Sequence, residues 1–407
     1  MTRSNKIKVA IVYPMDPTEN KVGGIETFLR NFVKFLPAEF VIKWIGVTAN
    51  NNTRPTGIWQ KIRLGNQEID FLPVLYVKDE NRRSLIPLVF KFVIALIKNT
   101  AAIKRQIKNH ILFFHRIEAV LPFISWKNKK FLVIHGHPLD YYNQHSEVKW
   151  NKFPGMYFLL EKYLIKKFEK IFIVREDAAS FYRKRYPDIS KNVSFLPTWV
   201  DEEVFFPYKN EIRVIKRGEF LKNKGFAADD KLALFVSRFE GQKDPLLLIE
   251  TFNYVASKLP SVRLLLIGGG GLKDKMESLL NKYGIRERAV FFGVLPQNEI
   301  ADIMRISDVL VLTSAFEGMP MCVMEALGCG LAVVTTDVGE VKRVVKDGIS
   351  GRVVFQSKAE IIGEAVLEVI REEKYKDSGN IRMCVKDYSA AGVLRQVYRQ
   401  MEKNHKE

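Results

Sequence analysis

The stretch from Ser307 to Gly339 constrains the fold more than any other part of this sequence. Its apolar run Val309–Leu312 is short and has polar neighbours, which is typical of a buried strand in a parallel sheet. Pro320 stands where the first residue of a helix is expected, ahead of the apolar-rich segment Met321–Leu327. A second apolar run, Leu331–Thr335, predicts the next strand. Strand, helix and strand in this order indicate a doubly wound α/β sheet.

Two glutamates lie where such a sheet binds ligands. In doubly wound sheets, ligands bind at the carboxyl ends of strands, and anions favour helix N-termini. Glu317 is on the loop at that position, and Glu325 follows eight residues later in the helix. Carboxylates accept strong hydrogen bonds from hydroxyls, so the pair suits a polyhydroxylated ligand. Taken alone, two such glutamates more often indicate a local cap and a solvated loop residue.

The surrounding motif favours the ligand-binding interpretation. Glu317, Gly318 and Pro320, followed by Glu325-Ala326 and Gly330, resemble the Glu-x7-Glu signature of retaining glycosyltransferases of family 4. That family has the GT-B fold, so the resemblance implies an α/β protein with two doubly wound, Rossmann-like domains facing across a cleft. It also implies that the first glutamate lies at the donor sugar, that the second binds the ribose hydroxyls of the nucleotide, and that the loop residues Gly318, Met319 and Pro320 belong to the donor site.

The length of 407 residues is enough for two α/β domains of about 200 residues each. We expect an acceptor-side domain over residues 1–205, a nucleotide-sugar-binding domain over 206–385, and a C-terminal helix over 386–407 that returns to the first domain. The segment from Leu196 to Pro207 resembles the family's interdomain segment. Thr198 and Trp199 replace its usual Asn-Gly pair, so we expect a different local backbone there.

Basic residues follow the first predicted strand of the second domain, Lys231–Val236. Arg238 and Lys243 resemble the pair with which the family holds the donor diphosphate, and we predict a catalytic role for both. The chemistry requires cations there because negative charge grows on the leaving diphosphate as the glycosidic bond breaks. The resemblance further implies that the backbone at Leu295 contacts the base. The glycine run from Gly268 to Gly271 can be a phosphate cradle, but it favours a tight turn between a strand and a helix.

In the first domain, Gly23 and Gly24 precede a helix that starts near Ile25. Paired glycines allow a phosphate to approach the backbone at a helix N-terminus, although such a pair more often marks a simple turn. Here they match the family's "GGIE" element, which lies near the donor diphosphate.

Two histidines follow the predicted strand Phe131–Ile134. His135 and His137 have three interpretations: a metal-binding pair, structural loop residues, or the family's histidine that contacts the donor sugar. No third ligand is evident, which argues against a metal. His135 fits the family position better than His137, and we predict it to be catalytic.

Composition limits the location and partners of the chain. Three cysteines and an N-terminus without a secretory segment predict a protein of the reducing cytoplasm. A net charge of +18 implies an anionic partner, and no nucleic-acid-binding module is recognisable. Anionic membrane is the remaining candidate.

The segment 84–109 is the candidate for membrane contact. Its apolar run Leu85–Ile97 is too short to span a bilayer, which takes about 20 apolar residues. Helical spacing, which we extend through the following residues to Arg116, aligns four basic residues in one stripe: Arg83, Lys91, Lys98 and Arg105. A core helix with a solvated stripe and an interfacial helix on anionic lipid remain equally open.

These observations predict a retaining, metal-independent hexosyltransferase without a cofactor. It would move a sugar from a nucleoside-diphosphate sugar to a lipid-linked or cell-envelope glycan precursor at the inner face of the membrane, in polysaccharide biosynthesis. A nucleotide-sugar epimerase, a phosphorylase and an inactive scaffold protein are the alternatives. The sugar, the base, the acceptor and the oligomeric state are left open by these residues.

Overall fold

A computed structural model describes residues 6–19, 23–78, 86–139 and 154–406. These residues form two compact units. The first contains the described residues up to 139, those from 154 to Pro197, and those after Ala390. The second contains Thr198–Ala390.

The described strands are, in chain order, β1 (Ile7–Val12), β2 (Phe40–Thr48), β3 (Gln60–Leu64), β4 (Gln67–Tyr76), β5 (Ile111–Phe114), β6 (Lys130–Ile134), β7 (Lys170–Ile173), β8 (Val193–Phe195), β9 (Lys231–Val236), β10 (Val262–Ile267), β11 (Ala289–Gly293), β12 (Val309–Leu312), β13 (Val333–Thr336) and β14 (Gly351–Val354).

The described α-helices are α1 (Gly24–Lys34), α2 (Leu88–Lys98), α3 (Thr100–Ile107), α4 (Pro154–Leu164), α5 (Glu176–Arg185), α6 (Asn210–Asn223), α7 (Pro245–Lys258), α8 (Lys273–Lys282), α9 (Gln297–Ile306), α10 (Met321–Gly328), α11 (Ala359–Arg371), α12 (Ser378–Met383) and α13 (Ala390–Lys406).

The first unit is built on a sheet in the order β3-β4-β2-β1-β5-β6-β7-β8, parallel except for β3. The connections run one way from β1 and the other way from β5, so the topological switch point lies between those two strands. Helix α1 covers one face together with α13, where the Tyr398 hydroxyl donates to the Phe32 carbonyl at 2.6 Å. Helices α2, α3, α4 and α5 contribute to the apolar core on the other face.

The second unit is built on a parallel sheet in the order β11-β10-β9-β12-β13-β14. Its switch point lies between β9 and β12, because β10 and β11 follow on one side and β13 and β14 on the other. Strands β9 and β12 are almost entirely buried, as expected for strands covered on both faces. The loops after these two strands carry Lys243 and Glu317.

The contacts of the chain change from one unit to the other after Pro197, whereas the sequence suggested a boundary after residue 205. Residues 198–205 stay with the second unit because they pack tightly on α10. A side chain at Gly328 would come within 2.6 Å of Val200 Cγ2, and the Thr198 hydroxyl donates to the Met319 carbonyl at 3.0 Å. Trp199, which replaces the expected glycine, is fully buried.

The expected helical continuation after Ile97 is wrong in its last part. Helix α2 ends at Lys98, α3 covers Thr100–Ile107, and Ile111–Phe114 forms strand β5 between β1 and β6. All four residues of β5 are buried, because a central parallel strand is covered on both faces. Its uninterrupted apolar run therefore lacks the alternation that distinguishes a strand from a helix.

Candidate active site

The loops after β9 and β12 meet at the switch point of the second unit. Lys243 Nζ contacts Glu317 Oε1, and the Ser314 hydroxyl donates to the same oxygen at 2.7 Å. Both charged side chains are largely buried, with 14% of Lys243 and 7% of Glu317 exposed. The carboxylate is thus fixed in place, and the ammonium keeps further protons that can bind an anion.

Backbone contacts hold the two loops against each other. The Thr313 hydroxyl donates to the carbonyls of Lys243 and Asp244, at 3.1 and 2.9 Å. The Gln242 amide donates to the Phe316 carbonyl at 3.1 Å, and the Ala315 N–H donates to the Gln242 carbonyl at 2.9 Å. The position of Lys243 relative to Glu317 is therefore set by a network and not only by the ion pair.

Arg238 lies on the same loop as Lys243 but is exposed. Its guanidinium reaches the Gln242 side-chain oxygen at 3.4 Å, a long contact that leaves most of its donors available. An exposed guanidinium beside a largely buried ammonium can bind two oxygens of a diphosphate.

Two glycines after β10 allow their backbone to approach the loop that follows β9. A side chain at Gly268 would come within 1.9 Å of the Ser237 carbonyl, and one at Gly270 within 2.6 Å of the Phe239 carbonyl. The glycine run therefore supports the backbone on either side of Arg238. This agrees with the tight turn that the sequence favoured over a phosphate cradle.

Glu325 is in the second turn of α10 and only 8% exposed. Burial, and then the Asp201 carboxylate, raises its pKa to about 7. Among the residues that the structure describes, none donates a hydrogen bond to this carboxylate. A buried carboxylate without a protein donor can accept hydrogen bonds from the hydroxyls of a ligand.

The remaining predicted donor-site residues of the second unit lie close to these groups in the chain. Met319 and Pro320 are buried immediately before α10, so Pro320 precedes the first helical residue and does not occupy it. The Gly318 carbonyl accepts from the Glu340 N–H at 3.0 Å. Leu295 is half-buried between β11 and α9.

In the first unit, His135 follows β6 and His115 follows the neighbouring strand β5. Nδ1 of His115 lies 2.8 Å from Nε2 of His135, and their rings stack with centroids 5.1 Å apart. Burial lowers the pKa of both, that of His135 to about 3 with a further contribution from Arg116. The two histidines are therefore neutral at physiological pH.

The predicted glycine pair lies at the start of α1. The Tyr13 hydroxyl donates to Glu26 Oε1 at 2.8 Å, and a side chain at Gly23 would come within 2.2 Å of the other Glu26 oxygen. Gly24 is the first residue of the helix. The missing side chain at Gly23 thus gives the Glu26 carboxylate room to fold back over the helix N-terminus.

His137, the second histidine after β6, contacts its own loop and a neighbouring ring. Nδ1 of His137 accepts from the Leu139 N–H at 3.1 Å, and its ring packs 5.2 Å from that of Phe181. Within the described residues, no group of three or more His, Cys, Asp or Glu side chains is arranged to hold a metal ion.

The described part of segment 84–109 has an exposed apolar face. Ile86, Ile94 and Ile97 are 55%, 55% and 56% exposed. Basic residues are exposed along α2 and α3 and directly after α3: Lys98, Lys104, Arg105 and Lys108. Four residues of the predicted segment and its flank lie outside the described residues: Arg82, Arg83, Ser84 and Leu85. No helix in the described ranges is long and apolar enough to cross a bilayer.

Sequence reasoning missed His115 and Ser314. His115 follows an apolar strand just as His135 does, so the pattern "strand, then histidine" occurs twice and could have revealed the pair. It was hidden because the residues before His115 were assigned to a helix.

Comparison with known families agrees with this arrangement. The family described as "Glycosyl transferases group 1" matches residues 216–381, which include β9, β12 and both predicted glutamates. Residues 216–381 of this chain are therefore similar to the glycosyl transferases group 1 family. D-inositol 3-phosphate glycosyltransferase of Mycolicibacterium smegmatis is 30% identical over 43% of this chain and 39% of its own length. Matches to the curated relatives cover between 37% and 63% of those relatives.

Solved structures are similar over almost the whole chain. Sucrose-phosphate synthase from Thermosynechococcus elongatus has a TM-score of 0.79 at 17% identity, covering 98% of this chain and 100% of that one. HepE of Anabaena, in a complex with UDP and glucose, has a TM-score of 0.70 at 14% identity, covering 97% and 100%. At such identities the likeness establishes the fold, and the predicted GT-B fold is confirmed.

Proposed function

We propose that this protein is a retaining glycosyltransferase that moves a hexose or related sugar from a nucleoside-diphosphate sugar to an acceptor hydroxyl. The observation that carries the proposal is the group of side chains at the switch point of the second unit. It combines an exposed guanidinium, a largely buried ammonium paired with a fixed carboxylate, and a second buried carboxylate without a donor among the described residues. HepE, which shares the fold, binds UDP and glucose.

In this proposal the diphosphate binds Arg238 and Lys243. Charge accumulates on the leaving diphosphate as the glycosidic bond breaks, so cations placed beforehand stabilise the transition state more than the ground state. These two side chains take the place of a divalent cation, and no cofactor participates. Glu317, held by Ser314 and Lys243, faces the reacting sugar.

The nucleotide ribose binds Glu325 in this proposal. Two vicinal hydroxyls can donate to one carboxylate, which gives the buried oxygens the partners that the protein does not supply. Backbone contact at Leu295 reads the base. The ribose contact persists from the ground state to the transition state, so it contributes to donor affinity and not to the rate of the chemical step.

The acceptor that we propose is a lipid-linked or cell-envelope glycan precursor at the inner, cytoplasmic face of a membrane. Support comes from a surface of the first unit, the α2–α4 surface, formed by the exposed residues of those two helices. Both helices pack against the 3-10 segment Ile117–Phe123. Leu159 and Tyr163 of α4, 72% and 56% exposed, add to the isoleucines of α2.

Lysines accompany the apolar residues of the α2–α4 surface. Lys98 of α2 and Lys162 of α4 are exposed, and Lys91 of α2 is half-buried. Exposed apolar side chains among lysines suit an anionic bilayer, into which the apolar groups insert while the ammonium groups meet lipid phosphates.

The test is a reaction with a defined product. A thermal-shift panel of nucleoside diphosphates identifies the base, and the matching α-linked nucleotide sugars are then incubated with the enzyme in EDTA. We expect slow release of the sugar, and NMR of the first product should show the same anomeric configuration as the donor.

Three results would contradict the proposal. Inversion at the anomeric carbon excludes the retaining mechanism, complete loss of turnover in EDTA excludes metal independence, and epimerised nucleotide sugar indicates the epimerase alternative. Absorbance near 400 nm from bound pyridoxal phosphate would indicate a phosphorylase.

A further inference from the structure

His115 has no role in the chemistry described so far, yet it is only 4% exposed and touches His135 directly. Aromatic rings fix its orientation: those of Phe113 and Phe28 meet the His115 ring edge to face, with centroids 4.8 and 4.9 Å away. His135 is half-buried and also packs against Phe28, at 5.4 Å. One ring is thus sealed in the unit, and the other is partly accessible.

Only one hydrogen atom can lie between Nδ1 of His115 and Nε2 of His135. Since both histidines are neutral, either His115 Nδ1–H donates to His135 Nε2, or His135 Nε2–H donates to His115 Nδ1. In the first arrangement the hydrogen of His135 is on Nδ1, on the accessible side of the ring. In the second it is on Nε2, between the two rings.

The far nitrogen of His115 resolves this choice. His115 Nε2 is buried and has no hydrogen-bond partner among the described residues. If His135 were the donor, this nitrogen would carry a buried N–H without an acceptor. Buried N–H groups without a partner are rarer than buried acceptors without one, so the bare nitrogen is favoured there. The proton of His115 is then on Nδ1.

We propose that His115 is a positioning residue that donates from Nδ1 to His135 Nε2 and so holds His135 in the tautomer with hydrogen on Nδ1. His135 then presents an N–H donor, not a base, on the accessible side of its ring. The expected effect on turnover rests on the proposed function and on the predicted catalytic role of His135, but the tautomer itself does not depend on either. A neutral histidine side chain in water prefers hydrogen on Nε2, so one neighbouring side chain reverses this preference.

The ¹⁵N chemical shifts of the histidine ring nitrogens, measured by NMR on the ligand-free protein, test the tautomer directly. We expect a protonated, pyrrole-like Nδ1 and an unprotonated, pyridine-like Nε2 for His135, assigned by comparison with His135→Gln. The reverse assignment overturns the proposal, whatever the enzyme does with a donor.

Variants of His115 separate positioning from packing. His115→Leu should return His135 to the tautomer with hydrogen on Nε2 and lower kcat for donor hydrolysis on the order of tenfold or more, with nucleoside-diphosphate affinity unchanged. His115→Asn places an amide donor near the former Nδ1 and should restore the tautomer and most of the turnover. His110→Leu is the matched control, because His110 is a buried histidine at the other end of β5.

Equal tautomers and turnover in the wild type and His115→Leu would overturn the proposal. If His115→Leu does not fold, the wild-type spectrum and His115→Asn still decide. Failure of the proposed function has a different signature, since the protein would then bind no nucleoside diphosphate while His135 kept its Nδ1 proton.

Discussion

The charge of Glu325 depends on whether a hydroxyl-bearing ligand is bound. Burial and the Asp201 carboxylate raise its pKa to about 7 in the unliganded protein. Hydroxyls that donate to a carboxylate favour its ionised form, so the ligand selects the deprotonated residue and lowers that pKa. In the proposed binding mode, the proton and the ribose therefore compete for the oxygens of Glu325.

We expect nucleoside-diphosphate affinity to fall as the pH drops below 7, by up to about tenfold per pH unit, and to level off above it. Titration calorimetry between pH 5.5 and 8.5 measures this, and Glu325→Gln should remove the dependence. A flat profile for the wild type would contradict the ribose assignment. The folding stability of the unliganded protein should depend on pH in the opposite direction. A raised carboxyl pKa contributes stability at low pH, and this contribution is lost as the pH rises through 7.

Arg238 and Lys243 should differ in what their loss does to folding. Either alanine variant should lower turnover by about two to three orders of magnitude, because each cation stabilises charge on the leaving group. Only Lys243→Ala also removes the cation that is paired with the buried Glu317 carboxylate, which costs about 3 kcal/mol or more of unfolding free energy. Urea unfolding compares the two, and equal stability would contradict the importance of the ion pair.

The order of residues along the chain identified Arg238 and Lys243, but it did not predict how deeply each side chain is buried. The sequence places both after the predicted strand Lys231–Val236 and does not distinguish their burial. The Thr313 hydroxyl joins the Lys243 backbone to a loop about 70 residues further along the chain, and in that loop Ser314 holds Glu317, the ion-pair partner of Lys243. Contacts at such separation leave no periodic pattern in a sequence.

At the scale of elements, the loop that carries Glu317 is held by a neighbouring turn. Gly339 has a φ of 51°, and a side chain there would come within 1.9 Å of the Gly318 carbonyl. Gly348 has a φ of 72° with open space around it. Both glycines have a left-handed backbone conformation, but only Gly339 contacts the loop that carries Glu317.

Gly339→Ala and Gly348→Ala should each cost about 1–2 kcal/mol of stability for the left-handed backbone. Only Gly339→Ala should also lower kcat, because the added methyl group displaces the loop from Glu317 to Pro320. Donor hydrolysis by the two variants measures this. Equal turnover would show that this loop does not need its observed position.

The elements themselves were largely predictable from the sequence. Strands β9 and β12 have the bounds that the apolar runs predicted, because polar residues mark their ends. Strand β5 was wrongly read as helix, since a strand buried on both faces has no alternation to reveal it. Because this strand was not predicted, His115 at its end was not recognised as a candidate site residue.

At the scale of the whole molecule, the net charge of +18 exceeds what one diphosphate requires. Part of the excess lies on α2, α3 and α4 beside exposed isoleucines, a leucine and a tyrosine. Sequence alone identified the basic stripe but not the contribution of α4, which depends on the packing of both helices against one 3-10 segment.

Ile94→Gln with Ile97→Gln should weaken sedimentation with anionic vesicles several-fold, since each burial of an isoleucine contributes about 1.5–3 kcal/mol at most. Binding of the wild type should also fall with salt, because lysines contribute about 1 kcal/mol each near an anionic surface. Val214→Gln with Ile215→Gln on α6 is the control, because those residues are 69% and 59% exposed in the other unit. Equal loss in both double variants, or no preference for anionic vesicles, would contradict the role of the α2–α4 surface.

The central claim is that a nucleoside diphosphate binds at the switch point of the second unit, with its ribose on Glu325. Titration calorimetry of the preferred nucleoside diphosphate at pH 8 against three proteins tests it most directly: wild type, Glu325→Gln, and Glu360→Gln on the exposed face of α11. We predict one site in the wild type, an affinity at least about tenfold lower in Glu325→Gln because hydrogen bonds to a charged acceptor are lost, and no change in Glu360→Gln. Binding to Glu325→Gln as tight as to the wild type would contradict the account.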